Sequence, residues 1–327
     1  MKIFRKKSKE LLEQEANNSS LKRTLGVFEL TMLGIGAIIG TGIFVLTGEA
    51  AAGTEHAIGA GPALTFSFVI TGLACACAAL CYAEFASMVP VSGSAYTYSY
   101  YSFGEIIAWI IGWDLVLEYA VGNVAVAIGW SGYFDSLLNG FGIHLPGWLI
   151  APTGTEMVQL PSGQWNPMTE AVQTQFPDTF ANFPTEVAIM NLPAFLITIA
   201  VSLLLFVGIK ESARVNAILV IVKLFLIGLF IYFGLPHFNP DEHWQEFAPN
   251  GWKGIMTGAA LVFFAYVGFD AVSTTAEEAK NTQRDVPIGM IAALVICTML
   301  YIGVAVVLTG MVPLDDLGTE NHVVAAL

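Results

Sequence analysis

One apolar segment near the N-terminus reads Gly34-Ile35-Gly36-Ala37-Ile38-Ile39-Gly40-Thr41-Gly42-Ile43-Phe44. Four of its first nine residues are glycine, and each glycine weakens a helix by about 1 kcal/mol. A helix in a bilayer must keep its backbone N–H and C=O groups paired, because there is no water to bond them. A break there survives only where the freed groups face protein or a polar ligand. The sequence therefore predicts a functional break at Gly40-Thr41-Gly42, while the glycine spacing also suits close helix packing.

The composition is that of a multi-span helical membrane protein. Hydrophobic residues make up 55% of the chain and charged residues 12%, and the mean hydropathy is +0.67. These values exclude an ordinary soluble protein. The polar and basic N-terminal tail lacks the short apolar core and small-residue cleavage site of a signal peptide.

Seven apolar runs are long enough to cross the hydrocarbon core, and we number them spans 1 to 7. They lie near residues 26–48, 62–88, 105–132, 187–208, 215–235, 253–276 and 288–312. A basic turn at 210–214 is predicted between spans 4 and 5, and residues 140–185 are predicted to form an extracellular loop. The predicted organisation is a cytoplasmic tail (1–24), a first repeat (25–235) and the start of a second repeat (236–327). Because the pattern stops after seven spans, we interpret the chain as truncated at its C-terminus.

The cations set the predicted orientation. Of the thirteen Lys and Arg residues, eleven fall in segments on one predicted side of the membrane, and none occurs between Arg23 and Lys210. By the positive-inside rule the N-terminus is cytoplasmic. We expect a multi-pass protein of the cell (plasma) membrane.

The sequence gives no sign of catalysis or of a metal site. The cysteines lie in apolar helical runs, and the histidines are scattered without the spacing of metal ligands. No Ser/His/Asp set and no phosphate-binding P-loop occurs, so neither an enzyme nor an ATP-driven pump is indicated. No cofactor is expected.

A second break is predicted in span 6, in Phe263-Phe264-Ala265-Tyr266-Val267-Gly268-Phe269-Asp270. Spans 1 and 6 stand five helices apart, and interrupted helices at matching places in two halves are typical of transporters with inverted repeats. The N–H groups that begin a half-helix hold an anion, and the carbonyls that end one hold an ammonium group. A zwitterionic amino acid fits both.

Three motifs carry a family resemblance over nearly all of residues 20–315. Gly36 to Phe44 resembles the first-helix motif of the amino acid–polyamine–organocation superfamily. Tyr82 to Tyr96 resembles the pattern at the end of the second helix. Residues 269–289 are similar to the cationic amino acid transporter branch, with Thr282 where proline is more usual. The resemblance implies an all-α polytopic membrane protein with a five-plus-five inverted-repeat fold, of which about seven spans are present here.

The resemblance also implies residue roles. Gly40, Thr41 and Gly42 would offer N–H groups to the substrate carboxylate. The substrate amino group would be received by the carbonyls of Ile38, Phe264, Ala265 and Val267. Phe264 would also be the aromatic gate, although a lipid-facing or core position is the more common fate of a phenylalanine.

Lys223 is an ionisable residue inside span 5. Such a residue is costly in the membrane and functional by default. It lies nine residues beyond Arg214, about 13 Å along a helix, which is long for snorkelling to the interface. In proton-coupled relatives a lysine at the matching place stands where sodium-coupled relatives bind a cation. We therefore predict that Lys223 is the proton-coupling residue and that its partners include span 1 carbonyls near Gly36.

Glu118, inside span 3, is the second ionisable candidate. It could contact the substrate, relay a proton, or bond a neighbouring helix. A cationic substrate side chain would need an acid in the pocket, and Glu118 is the best candidate for it.

The sequence as a whole predicts a secondary active transporter of L-amino acids, working by proton-coupled symport with alternating access. The coupling ion would be the proton. Alternatives are an amino acid exchanger and a non-transporting membrane sensor of amino acids. Expected partners are the L-amino acid and the lipid bilayer, not nucleic acid, and a small membrane partner or oligomer stays open. We favour neutral, alanine-like substrates, with cationic ones second.

Overall fold

A computed structural model describes residues 6–8, 14, 23–54, 57–89, 91–168, 172, 182–207 and 209–317. Most of the predicted tail (1–24) and the last residues (318–327) lie outside this part of the chain. Long helices dominate the described residues, and they confirm the predicted all-α polytopic class. The strands are short and lie in connecting segments.

The helices follow the predicted spans closely. Span 1 consists of α1 (Val27–Ile38), a π-helix (Gly42–Leu46) and α2 (Thr47–Ala52). Span 6 consists of α9 (Gly251–Val262), a 3-10 turn (Phe263–Tyr266) and α10 (Ala271–Thr274). The other α-helices of the described residues are α3 (Leu64–Met88, span 2), α4 (Ser94–Ser102), α5 (Glu105–Gly140, span 3), α6 (Leu192–Val207, span 4), α7 (Ile209–Gly234, span 5), α8 (Pro240–His243), α11 (Thr282–Met311, span 7) and α12 (Leu314–Leu317).

Among the described helices, that of span 4 is too short for the membrane crossing that was predicted for it. In the described chain, five helices are long and apolar enough to cross a membrane, and the two halves of span 1, bent by 47°, make a sixth. Helix α6 has 16 residues, which is about 24 Å and short of a hydrocarbon core of about 30 Å. The predicted turn at 210–214 is wrong, since the backbone is helical from Ile209 onward. Lys, Glu, Ser, Ala and Arg are all compatible with a helix, so this polar run does not end one.

The predicted extracellular loop contains a small sheet that the sequence reasoning missed. Its strands β3 (Glu156–Gln159), β4 (Trp165–Pro167) and β5 (Thr185–Val187) pair antiparallel in the order β4-β3-β5. A separate two-stranded pair, β1 (Gly53–Thr54) and β2 (Ala57–Ile58), follows span 1. Strands of two to four residues carry too few side chains for a period-2 pattern to be detected.

The core lies between spans 1, 2, 6 and 7. Span 7 packs against spans 1, 2 and 5, and span 6 packs against span 2. Half of the most apolar stretch of span 6 is buried within the protein, whereas none of that stretch of span 3 is. The largest fully buried side chains include Leu30, Phe68, Tyr266, Met290 and Tyr301. Spans 1 and 6, which carry the two predicted breaks, are therefore in the best-packed part of the molecule.

The start of span 1 is tied to the segment that follows span 6. The N–H groups of Thr24 and Leu25 donate to the Glu278 carbonyl at 2.9 and 3.0 Å, and the Lys280 N–H donates to the Leu25 carbonyl at 2.8 Å. A parallel bridge joins Leu25 to Ala279. These backbone bonds hold the two broken spans together at one end.

Candidate functional site

The break in span 1 is a bend that ends one half-helix and begins another. Helix α1 stops at Ile38, and Ile39 adopts an extended conformation (φ −74°, ψ 102°). The π-helix then begins at Gly42, and the two halves meet at 47°. The last carbonyls of α1 and the first N–H groups of the second half therefore lack partners within their own half-helix.

The ammonium group of Lys223 binds the end of the first half-helix. It donates to the carbonyl of Gly36 at 2.9 Å and to that of Ile39 at 2.7 Å. A positive charge is stabilised at a helix C-terminus by the helix dipole and by the free carbonyls. The predicted contact of Lys223 with span 1 carbonyls near Gly36 is confirmed.

A second side chain, which the sequence reasoning missed, caps the same region from span 7. The Tyr301 hydroxyl lies 3.0 Å from the Ile38 carbonyl oxygen and 2.7 Å from the Ala265 carbonyl oxygen. Its ring is fully buried between those of Phe68 and Tyr266, with centroid distances of 5.4 and 5.3 Å. The available signal was a tyrosine deep in an apolar span, since tyrosine is otherwise favoured at membrane interfaces.

The break in span 6 is organised by its own backbone. After the 3-10 turn, the Val267 N–H donates to the Phe264 carbonyl at 3.3 Å. Gly268 has φ +105°, a conformation that a residue with a side chain rarely adopts. The Ala271 N–H then donates to the Gly268 carbonyl at 3.1 Å. The chain thus restarts its helix with local bonds only.

The two breaks touch each other. A Cβ atom built on Gly42 would lie 2.3 Å from the Cα atom of Ala265, so only glycine permits this approach. One built on Gly268 would lie 2.8 Å from the Ala37 carbonyl oxygen. The structure therefore brings together the two sequence-predicted breaks, which are more than 200 residues apart in the chain.

The residues predicted to hold the substrate lie around this contact. Ile38 and Ala265 are buried, whereas Gly40, Thr41, Phe264 and Val267 are half-buried. Three of the four predicted ammonium-binding carbonyls already accept a bond, from Tyr301 at Ile38 and Ala265 and from Val267 at Phe264. The N–H groups of Gly40, Thr41 and Gly42 lie where the second half-helix of span 1 begins.

A cavity of about 410 Å³ adjoins the break beside Lys223. It lies between the second half of span 1 and spans 3, 5 and 7, and its polar lining groups are on Thr41, Tyr133 and Lys223. The Tyr133 hydroxyl donates to the Phe44 carbonyl, which ties span 3 to the second half of span 1. The other lining residues are small or apolar: Ile43, Phe44, Val126, Gly129, Trp130, Leu226, Ile227, Phe230 and Val304. The space is large enough for a small amino acid and is suited to an apolar side chain.

Glu118 lies away from the break in span 1. Val126, eight residues further along span 3, is the nearest neighbour of a Cβ built on Gly40, at 3.8 Å. Glu118 is therefore about 12 Å from that level along the helix axis. The acidic group that influences it is Asp270, which is buried and accepts hydrogen bonds from the hydroxyls of Ser94 at 2.7 Å and Tyr119 at 3.3 Å. Its predicted role as a substrate ligand remains a prediction.

The described residues offer no other obvious binding chemistry. No group of three or more His, Cys, Asp or Glu side chains in the described part of the chain is arranged to hold a metal ion. The best-formed functional constellation is the pair of broken spans with Lys223 and Tyr301.

The known proteins that this chain resembles are permeases and transporters. The profile of a family described as amino acid permease matches residues 25–327. The chain is 49% identical over 324 residues to the branched-chain amino acid permease BcaP of Bacillus subtilis (strain 168), which covers 99% of this chain and 62% of BcaP. It is 47% identical over 325 residues to the methylthioribose transporter of the same organism, covering 99% and 63%.

A plant relative is more distant. The chain is 38% identical over 309 residues to the cationic amino acid transporter 9, chloroplastic, of Arabidopsis thaliana, covering 94% of this chain and 48% of that protein. The chain thus spans less than two thirds of the length of these relatives.

Proposed function

Because this chain belongs to the amino acid permease family, we propose that it carries L-amino acids across the plasma membrane as a proton-coupled symporter. Membership in a family of permeases, rather than of enzymes, confirms that the chain is not an enzyme. The family and the apolar helices make it a multi-pass membrane protein. We further propose that its N-terminus is cytoplasmic, as the distribution of Lys and Arg suggests.

The contact of Lys223 with the carbonyls of Gly36 and Ile39 is the observation that carries the coupling proposal. A charged ammonium group makes stronger hydrogen bonds than a neutral amine. Gain or loss of its proton would therefore change how firmly span 5 holds the first half of span 1. A proton and a conformation that depend on each other in this way are thermodynamically linked. No external metal ion is needed at these carbonyls, because the protein supplies its own cation.

The broken spans supply the proposed substrate site. The carboxylate would bind the N–H groups of Gly40, Thr41 and Gly42, where the second half-helix begins. The ammonium group would bind the carbonyls of Ile38, Phe264, Ala265 and Val267, and Phe264 would close over the substrate as a gate. Alternating access would then move the protein around this fixed site.

A neutral side chain is the preferred substrate feature. The lining of the cavity beside Thr41 is largely apolar, and Glu118 lies about 12 Å along span 3 from the level of Gly40. The relative named as a branched-chain amino acid permease agrees with this preference. A second relative, with nearly the same sequence identity to this chain, is named as a methylthioribose transporter. The uptake experiment therefore compares several substrates.

Uptake by proteoliposomes tests the proposal. Labelled alanine, leucine, lysine and methylthioribose are offered with and without an inward proton gradient. Accumulation of a neutral amino acid that depends on the gradient is expected. Uptake that ignores the gradient but requires amino acid inside the vesicle would replace symport by exchange, the alternative mechanism.

A lack of uptake would be ambiguous, because the chain spans less than two thirds of the length of its relatives. A chimera removes this ambiguity. In it, residues 1–327 are continued by the part of BcaP that the chain does not match. Amino acid binding by the chain with no transport by either form would favour a non-transporting sensor. No binding of any amino acid by either form would contradict the proposed function altogether.

A further inference from the structure

Three oxygen atoms converge where the broken spans meet. They are the carbonyl oxygens of Ile38 and Ala265 and the hydroxyl oxygen of Tyr301, which lies 3.0 and 2.7 Å from the two carbonyls. The hydroxyl carries one proton, so it can donate fully to only one carbonyl at a time. The meeting point of the two breaks therefore has more hydrogen-bond acceptors than donors. An ammonium group, with three N–H donors, would satisfy both carbonyls better than the hydroxyl does.

The hydroxyl already lies where such an ammonium nitrogen would have to lie. A nitrogen that bridges spans 1 and 6 must be about 2.7–3.2 Å from both carbonyl oxygens. The Tyr301 hydroxyl meets this condition for both. Spans 1 and 6 are in contact beside it, since a Cβ on Gly42 would lie 2.3 Å from the Ala265 Cα atom. An ammonium nitrogen that bridged these two carbonyls would therefore take the place of the Tyr301 hydroxyl.

We propose that the Tyr301 hydroxyl is a built-in substitute for the substrate ammonium group. It occupies the Ile38 and Ala265 carbonyls while the site is empty, and it gives them up when an amino acid binds. This inference rests on the proposed function, which assigns the substrate ammonium group to those carbonyls. Tyr301 thereby keeps the two breaks bonded to each other between transport cycles.

The neighbourhood of Tyr301 fits this role. Its ring is fully buried against Phe68 and Tyr266, so the hydroxyl is held at the carbonyls without contact with solvent. Without the hydroxyl, both carbonyls would be buried acceptors lacking their span 7 donor in the empty protein. That cost would disappear on binding of an ammonium group, and substrate affinity would rise.

The test is the affinity of Tyr301→Phe for alanine and for propionate, which is alanine without its amino group. Binding is measured by calorimetry on the purified protein. Removal of one competing hydrogen bond should tighten alanine binding about fivefold or more. Propionate affinity should not change. Thr309→Val is the matched control, because this buried hydroxyl of the same span donates to the Ala305 carbonyl at 2.8 Å and neither residue lies in a break; this variant should bind alanine as the unaltered protein does.

Two outcomes of this binding test would count against the inference. Weaker or unchanged alanine binding by Tyr301→Phe would overturn the inference, because it would make the tyrosine a substrate ligand or a purely structural group. If the unaltered protein binds no amino acid at all, the proposed function fails and the inference fails with it.

A second measurement keeps the hydroxyl and so does not depend on the stability of the variant. Fluorine is introduced on the ring of Tyr301 by site-specific labelling, and its NMR resonance is followed. Alanine should shift the resonance, because the hydroxyl leaves the two carbonyls, and propionate should not. A resonance that alanine binding leaves unchanged would overturn the inference.

Discussion

The two broken spans satisfy the backbone groups at their breaks in different ways. In span 1 the free carbonyls at the end of the first half-helix are capped by side chains from other spans, Lys223 and Tyr301. In span 6 the carbonyls of Phe264 and Gly268 accept bonds from N–H groups three residues further along the same chain. Span 1 thus depends on side chains from spans 5 and 7, whereas the span 6 break is closed mainly by its own backbone and receives one outside bond, from Tyr301 to the Ala265 carbonyl.

This difference indicates where coupling can arise. A break closed mainly by its own backbone depends less on the position of neighbouring spans. A break capped from outside changes when the neighbouring span moves or when the capping group changes its charge. We therefore expect span 1 to be the part that responds to protons, and span 6 to be the rigid surface against which it closes. Four substitutions test this comparison.

The largest effect is expected from Gly42→Val, which pushes the two breaks apart. Even a Cβ atom would lie 2.3 Å from the Ala265 Cα atom, a backbone atom that cannot be displaced cheaply. Amino acid binding should be lost, as measured by calorimetry or by ligand-induced thermal stabilisation. Gly122→Val is the control, because a Cβ there would meet nothing within 4 Å in the described part of the chain. Retained binding by Gly42→Val would refute the backbone site.

Lys223→Ala should have the next largest effect, since it removes the charged cap of span 1. Accumulation driven by a proton gradient should fall at least tenfold, while substrate binding remains measurable. The matched control is Lys253→Ala, an exposed lysine at the start of span 6. Normal accumulation by Lys223→Ala in proteoliposomes would show that this lysine is structural.

Gly268→Ala tests the backbone conformation at the break in span 6. The φ of +105° and the 2.8 Å approach to the Ala37 carbonyl oxygen should cost about 1–3 kcal/mol of stability. The expected result is a lower melting temperature in detergent. Gly228→Ala, in a helix with open space around it, should melt at or above the temperature of the unaltered protein. Equal melting of Gly268→Ala and the unaltered protein would mean that the break tolerates other conformations.

Glu118→Gln should have the smallest effect on alanine binding. It tests whether the substrate site extends along span 3 as far as Glu118. Glu118 lies about 12 Å along span 3 from the level of Gly40. Alanine affinity should therefore change less than about twofold, whereas any lysine binding should weaken. Uptake competition with both amino acids measures this. A large loss of alanine affinity would show that Glu118 reaches the backbone of the substrate.

Local sequence patterns predicted much of this arrangement. Apolar run length located the spans, and the glycines of spans 1 and 6 marked both breaks, because a bilayer makes such defects conspicuous. An isolated charge within span 5 pointed to a polar partner on another span, and the Gly36 carbonyl is one. The turn at 210–214 was predicted wrongly because polar residues at a membrane surface can continue a helix.

Tyr301 and Glu118 show what such patterns cannot supply. Tyr301 is one of ten tyrosines, and nothing in its neighbours distinguishes it, because its partners lie 263 and 36 residues away in the chain. Glu118 stood out by its charge, yet its distance from the break depends on how span 3 packs against span 1.

The sequence by itself determined the class of this protein, most of its membrane-spanning helices and the two places where helices break. These features follow from the cost of unpaired backbone groups in a bilayer, which acts on each segment separately. Only the tertiary structure decided which groups pair with the freed carbonyls. Lys223 binds those of Gly36 and Ile39, and Tyr301 joins that of Ile38 to span 6. The physical reason is that a hydrogen bond needs a donor within about 3 Å, and that distance is set by packing between segments remote in sequence.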